Sequence, residues 1–117
     1  MNIHEAGIII FMENYKETLD FYKTKLGLPV REQKEDLTIF DFGKSYLMVE
    51  DHGVSSAAEK TRAQNPTVLR LDVTDFDVTI KEIRDRGIEV KVYTPSWGTI
   101  GVIIDPEGNR IEIKEAI

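Results

Sequence analysis

The sequence contains no cysteine. That excludes disulfides, thiolate nucleophiles and sulfur ligands to a metal, and it suits a reducing compartment. Histidine is nearly as scarce, with only His4 and His52, so acid–base chemistry would have to rest on a carboxylate such as Glu112 or on a tyrosine. No glycine-rich phosphate loop and no Ser-His-Asp order is present. Long apolar runs are missing too. The stretch from Gly7 to Met12 falls far short of the roughly 20 residues that span a bilayer. The amino terminus, Met1-Asn2-Ile3-His4-Glu5, lacks the basic stretch and apolar run of a signal peptide, so a cytoplasmic location is expected. Basic residues are in deficit, 15 against 21 acidic, which gives a formal charge of −6. Nucleic acid and anionic membranes are bound mainly through clustered Lys and Arg and are not expected as partners; a cationic small molecule would be attracted.

What is present is enough for one packed domain. A chain of 117 residues with 41% hydrophobic and 31% charged residues can bury a core and stay soluble. Glu5–Phe11, rich in isoleucine, reads as a strand. Asn14 then offers an N-cap with Glu17 three residues on, and Leu19, Phe21, Tyr22 and Leu26 supply an apolar stripe that Gly27 terminates. Strands are expected over Leu28–Glu32, Leu37–Phe42 and Tyr46–Glu50. The polar segment 52–66 reads as a linker between a first module of about 1–51 and a second of about 67–117.

Beyond the linker the pattern repeats. Val68–Val73 is a strand, Asp75 caps a helix carrying Val78, Ile80 and Ile83, and Gly87 ends it. Ile88–Tyr93, Thr99–Asp105 and Arg110–Lys114 are the remaining strands, the last two joined by a Pro106-Glu107-Gly108-Asn109 turn. Asn14 and Asp75, and likewise Gly27 and Gly87, stand at matching places in two β-α-β-β-β halves. A half this small could hardly bury both faces of its sheet, so the two sheets are expected to share a core and helices in one domain.

The run from Asn14 to Tyr22 leading into Leu26-Gly27-Leu28 is similar to the first-helix signature of the glyoxalase, bleomycin-resistance and extradiol dioxygenase superfamily, the vicinal oxygen chelate family. Asp105-Pro106-Glu107-Gly108-Asn109-Arg110-Ile111-Glu112 resembles its closing signature. With the repeat, the resemblance spans essentially the whole chain. It implies an α+β fold in which two mixed sheets curl into an open cup that holds the ligand, commonly in a homodimer.

The family's metal enzymes draw ligands from four strand positions. Carried over by the resemblance, the first falls on Gly7, the third on Val68 and the last on Glu112; the remaining one lies at Leu47, Met48 or Glu50. Glycine and valine cannot coordinate a metal. His4 is an odd number of residues from Gly7 and points to the opposite face of the strand, and His52 follows the fourth strand as a solvated linker residue. No metal and no cofactor is therefore expected.

Alternation then assigns the faces. With Gly7 toward the cup go Ile9 and Phe11; with Glu112 go Arg110 and Lys114; with Val68 go Arg70 and Asp72; Tyr46, Met48 and Glu50 share a face, and Phe40 or Phe42 would join them. Arg70 and Glu112 either orient a polar ligand, through the guanidinium fork or an amine on the carboxylate, or neutralise each other as an ion pair. Trp97, before the flexible Gly98, resembles the aromatic that lines a groove in the bleomycin-resistance branch; it would be a stacking platform or a packing contact. Tyr93 and Tyr46 are weaker candidates of the same kind. The expectation is a metal-independent, dimeric small-molecule binder, sequestering an antibiotic or similar ligand through Phe11, Tyr46, Met48, Arg70, Tyr93, Trp97 and Glu112. The rivals are a divalent-metal lyase, isomerase or dioxygenase, or a thiol transferase, of the same superfamily.

Overall fold

The computed structural model describes residues 1–117. They divide into two compact units, Met1–Ser55 and Ser56–Ile117. The first runs β1 (Gly7–Met12), α1 (Tyr15–Asp20) continuing into a π-helical turn (Phe21–Lys25), β2 (Val30–Gln33), β3 (Leu37–Phe42) and β4 (Ser45–Asp51). Its sheet has the order β1-β4-β3-β2, with β1 parallel to β4 and the other pairs antiparallel. The second unit repeats the plan with β5 (Leu69–Val73), α2 (Phe76–Asp85), β6 (Lys91–Tyr93), β7 (Ile100–Ile104) and β8 (Arg110–Glu115). Its order is β5-β8-β7-β6, again with one parallel pair, β5 with β8. The architecture is α+β, two tandem β-α-β-β-β modules each carrying a mixed sheet. No helix is long and apolar enough to cross a membrane.

The helices form where the caps foretell, but their buried stripes differ in detail. Asp75 accepts a hydrogen bond from the Val78 N–H at 3.1 Å, the expected N-cap contact. The stripe against the sheet is Phe76, Ile80 and Ile83, while Val78 is 53% exposed; the cap places Phe76, one residue inside it, on the sheet-facing side. At the first helix Asn14 occupies the N-cap position without a capping bond from its side chain. Tyr15 and Thr18, not Leu19, share the burial with Tyr22 and Leu26. Tyr15 earns its place through polar contacts: its hydroxyl meets Thr38 Oγ1 at 2.7 Å and donates to the Lys34 carbonyl at 3.2 Å.

Two strands start later than the apolar pattern suggests, because helix exits consume their first residues. Gly27 and Gly87 take left-handed φ of 77° and 89°. The N–H groups of Leu28 and Ile88 then reach back to Tyr22 and Ile83 carbonyls, satisfying helix ends rather than a ladder. Val90 is buried, but the Arg84 guanidinium takes its carbonyl at 2.8 Å, so β6 begins at Lys91.

The sheets do not share helices as expected: each buries one face under the helix of its own unit. In the first unit Thr38, Phe40, Leu47 and Val49 are wholly buried. In the second, Leu69, Ile111 and Ile113 line the covered face, and a Cβ on Gly101 would press into Ile80 and Val90. The opposite, open faces carry the candidate site residues.

The closing turn is built around Asp105. Its buried carboxylate accepts from the Glu107 and Asn109 N–H groups at 2.9 and 2.8 Å and from Asn109 Nδ2 at 3.0 Å. The segment expected to be a linker docks on this turn: Ser56 N–H donates to the Glu107 carbonyl and Lys60 N–H to that of Gly108, while Lys60 Nζ and Asn65 Nδ2 both donate to Asn109 Oδ1.

Candidate ligand site

On the open face of the first unit the cross-strand register pairs Gly7 with Tyr46, Ile9 with Met48 and Phe11 with Glu50. Paired residues share a face, so Tyr46, Met48 and Glu50 lie with Gly7, Ile9 and Phe11, and Leu47 is on the other side. Ile9 and Phe11 are each 47% exposed. Phe40 and Phe42 do not join them. Phe40 pairs with Leu47 and is buried under the helix, and it is Leu37, Ile39 and Asp41 of β3 that share the open face.

Tyr46 is closely packed. A Cβ at residue 7 would clash with its ring carbons, so the ring lies against the bare glycine backbone, and Arg31 Cζ stands 5.7 Å from the ring centroid. Arg31 is itself clamped. Its Nη1 and Nη2 donate to the two Glu5 carboxylate oxygens at 2.8 and 2.9 Å, and its Nε donates to Asp41 at 2.7 Å. The hydrogen bonds to Arg31 hold the Glu5 carboxyl below its usual pKa, and those to Glu5 and Asp41 push the guanidinium's up.

The second unit presents a related arrangement. Arg70 and Glu112 are cross-strand partners; Arg70 Nη2 and Nε both donate to Glu112 Oε1, at 2.7 and 3.2 Å. Arg110 Nε donates to the other oxygen, Oε2, at 2.8 Å, and Arg110 Nη1 lies 3.6 Å from Glu59. Arg70 Cζ stands 5.6 Å from the centroid of the Trp97 ring, within cation–π range. Partial burial pushes the Glu112 carboxyl up, but the hydrogen bonds and charges of Arg110 and Arg70 outweigh it and leave the pKa lowered. Trp97 remains 56% exposed and Tyr93 49%. Tyr93 pairs with Ile100, and Ile100 with Lys114, which sets Tyr93 on the same face.

Of the candidate residues, the structure brings Arg70, Trp97 and Glu112 into one cluster, with Tyr93 on their sheet face. Phe11, Tyr46 and Met48 share the open face of the first sheet. His4 and His52 are exposed and belong to neither. The cluster also contains Arg110, Lys114 and Glu59. The spacing of Arg110, Glu112 and Lys114 along β8 pointed to the first two cations. Arg31 and Glu59 carried no such signal, because one reaches in from an edge strand and the other from the linker.

A family model described as the Glyoxalase/Bleomycin resistance protein/Dioxygenase superfamily matches residues 3–113. The chain belongs to this superfamily. The superfamily member is similar to the uncharacterized protein YraH of Bacillus subtilis strain 168, with 28% identity over 94% of this chain and 96% of that one. Its fold is similar to that of a glyoxalase/bleomycin resistance protein/dioxygenase from Alicyclobacillus acidocaldarius, with a TM-score of 0.78 and 23% identity over 97% of this chain and 91% of the other. It is similar as well to a bleomycin-binding protein complexed with bleomycin, with a TM-score of 0.74 and 17% identity over 98% and 100% of the two chains.

The superfamily's metal chemistry can be tested against the residues present. Gly7 and Val68 are matching positions of the two halves, as are Ile9 and Arg70. Ile9 pairs with Met48 and Arg70 with Glu112, so Met48 is the counterpart of Glu112 and fills the position that the sequence left open. The four positions thus hold glycine, methionine, valine and one glutamate whose two oxygens already accept from arginines. That set does not fit a divalent cation. Nor do any three His, Cys, Asp or Glu side chains converge to hold one elsewhere.

Proposed function

We propose that this superfamily member is a metal-independent binder of a small organic molecule, an antibiotic or a similar compound, which it sequesters without bond chemistry. The reading is supported above all by Glu112. Its carboxylate is neutralised by Arg70 and Arg110 rather than presented to a metal, and the same Arg70 lies within cation–π range of an exposed tryptophan. An exposed aromatic beside a fixed cation is a surface for stacking a flat group. The likeness to a bleomycin-binding protein supports the same class of activity. The two units act as one domain in this reading, two chains form a dimer, and the site works in the cytoplasm.

The test is calorimetric titration of dialysed, chelator-treated protein with glycopeptide antibiotics, aromatic cations and small aromatic carboxylates. Saturable binding that does not change when Zn²⁺, Mn²⁺ or Ni²⁺ is restored, and that weakens in Trp97→Ala by about 1–3 kcal/mol, the usual scale of a lost stacking contact, is the expected result. Binding that requires added metal, or that is indifferent to Trp97→Ala, would count decisively against it.

A further inference from the structure

The small-molecule reading leaves the charge of the ligand undecided, and the sequence's net charge of −6 would favour a cation. The hydrogen-bonding inventory of the second sheet's open face argues the reverse. A ligand can use only groups that the protein has not already satisfied. Both oxygens of Glu112 accept from arginines, so most of its acceptor capacity is used and its charge is opposed by two guanidinium groups.

The donors are in surplus. Arg70 spends Nε and Nη2 on Glu112, leaving the Nη1 N–H groups without a protein acceptor. Lys114 makes only a 3.5 Å approach to the Glu115 carbonyl. Its side chain also lies next to the tryptophan loop, because a Cβ on Gly98 would sit 3.8 Å from Lys114 Cε. Trp97 thus has Arg70 within cation–π range on one strand, and the adjoining Gly98 lies beside Lys114 on the next; both cations have N–H groups to offer. Lys91 adds a further cation to this face through its pairing with Val102, itself paired with Glu112. Asp72, the cross-strand neighbour of Lys114, is the one carboxylate of the face not tied up by an arginine.

We infer that the ligand of this face is an anion with a flat apolar body, of the class of aromatic carboxylates. The ring would stack at Trp97 and the carboxylate would accept from Arg70 Nη1 and Lys114 Nζ. The inference rests on the proposed binding role of the same site and deepens it. The unfavourable net charge does not override it, since charges beyond roughly 8 Å are screened at physiological ionic strength while the flanking donors act at contact.

Three probes of one shape separate the alternatives: 2-naphthoate, 2-naphthylmethylammonium and 2-naphthalenemethanol, each titrated calorimetrically into the full chain. The expected result is that naphthoate binds about tenfold or more tighter than the ammonium compound, as a charge-assisted hydrogen bond would give. Lys114→Gln, with Lys114→Met as a second variant, should lower that preference several-fold, the Arg70 donors holding the remainder. Asp72→Asn should strengthen naphthoate binding. An ammonium probe that binds as well as or better than naphthoate overturns the anion assignment alone. Failure of all three probes to bind, or binding indifferent to Trp97→Ala, overturns the small-molecule reading together with it.

Discussion

Tyr46 lies against Gly7 so closely that residue 7 has no room for a side chain. The glycine at the first metal-ligand position is thus explained by packing, as a bare stretch of backbone on which an aromatic ring rests. Gly7→Ala should destabilise the protein by about 1–3 kcal/mol, the cost of overpacking a fitted site. The same change made in a Tyr46→Ala background should cost clearly less. Denaturant melts of the two single variants and the double variant, treated as a double-mutant cycle, measure the difference.

The Glu112 carboxyl has a lowered pKa in the folded chain. A carboxyl whose folded pKa is depressed contributes stability above its unfolded value, and that contribution is lost as the pH falls through the folded value. The stability difference between the native protein and Glu112→Gln should therefore be flat above the ordinary carboxyl value of 4.5 and shrink on acidification below it. Urea melts of both proteins across that range check the sign. A difference that grows on acidification would contradict the arginine clamp.

Gly108 has φ of 89°, and a Cβ on it would meet the carbonyl oxygens of Ala58 and Ser56. Gly108→Ala should cost at least about 1–2 kcal/mol for the left-handed backbone alone. Its effect should extend to the docked segment. Hydrogen exchange of the Ser56 and Lys60 amides, which donate to this turn, should accelerate ahead of that of β8.

Ile9 and Phe11 leave an apolar strip exposed on the first sheet, the kind of surface that pairing between identical chains covers. Sedimentation equilibrium at micromolar concentration is expected to give twice the chain mass of 13.4 kDa. Phe11→Glu, which adds a charge to the strip, should shift the equilibrium toward the single chain.

Alternation read the faces of β1, β5 and β8 well, because each strand is long enough and regular enough for period two to hold. Gly7, Ile9 and Phe11 separate from Ile8 and Ile10 just as the pattern requires. It failed to settle β4, where the loops on either side hide the register. Only the parallel pairing of Ile9 with Met48 fixes which residue is the counterpart of Glu112. It also misjudged Phe40, since β3 carries apolar residues on both faces, Leu37 and Ile39 on one and Phe40 and Phe42 on the other, and alternation does not say which of them the helix will cover. The Arg70–Glu112 pair was visible as two residues of matching alternation. The third member of the cluster was visible only as a residue type, because Trp97 sits in an irregular loop whose path over Arg70 is set by tertiary packing. The strap from Arg31 to Glu5 left no trace in the sequence at all, since it joins side chains from opposite edges of a sheet.

In each sheet the strand made last is an inner one: β4 lies between β1 and β3, and β8 between β5 and β7. During synthesis neither sheet can be continuous until its final strand arrives. β1 and β5 each wait without a ladder partner while two later strands form a hairpin of their own. The first sheet can close once residue 51 has emerged, but the second must wait for residues 110–115, and until then Arg70 has no Glu112 to meet. The half of the chain that carries the tryptophan cluster is thus the last to become ordered on the ribosome. A stalled or shortened chain would expose β5 as an unpaired edge, open to wrong partners.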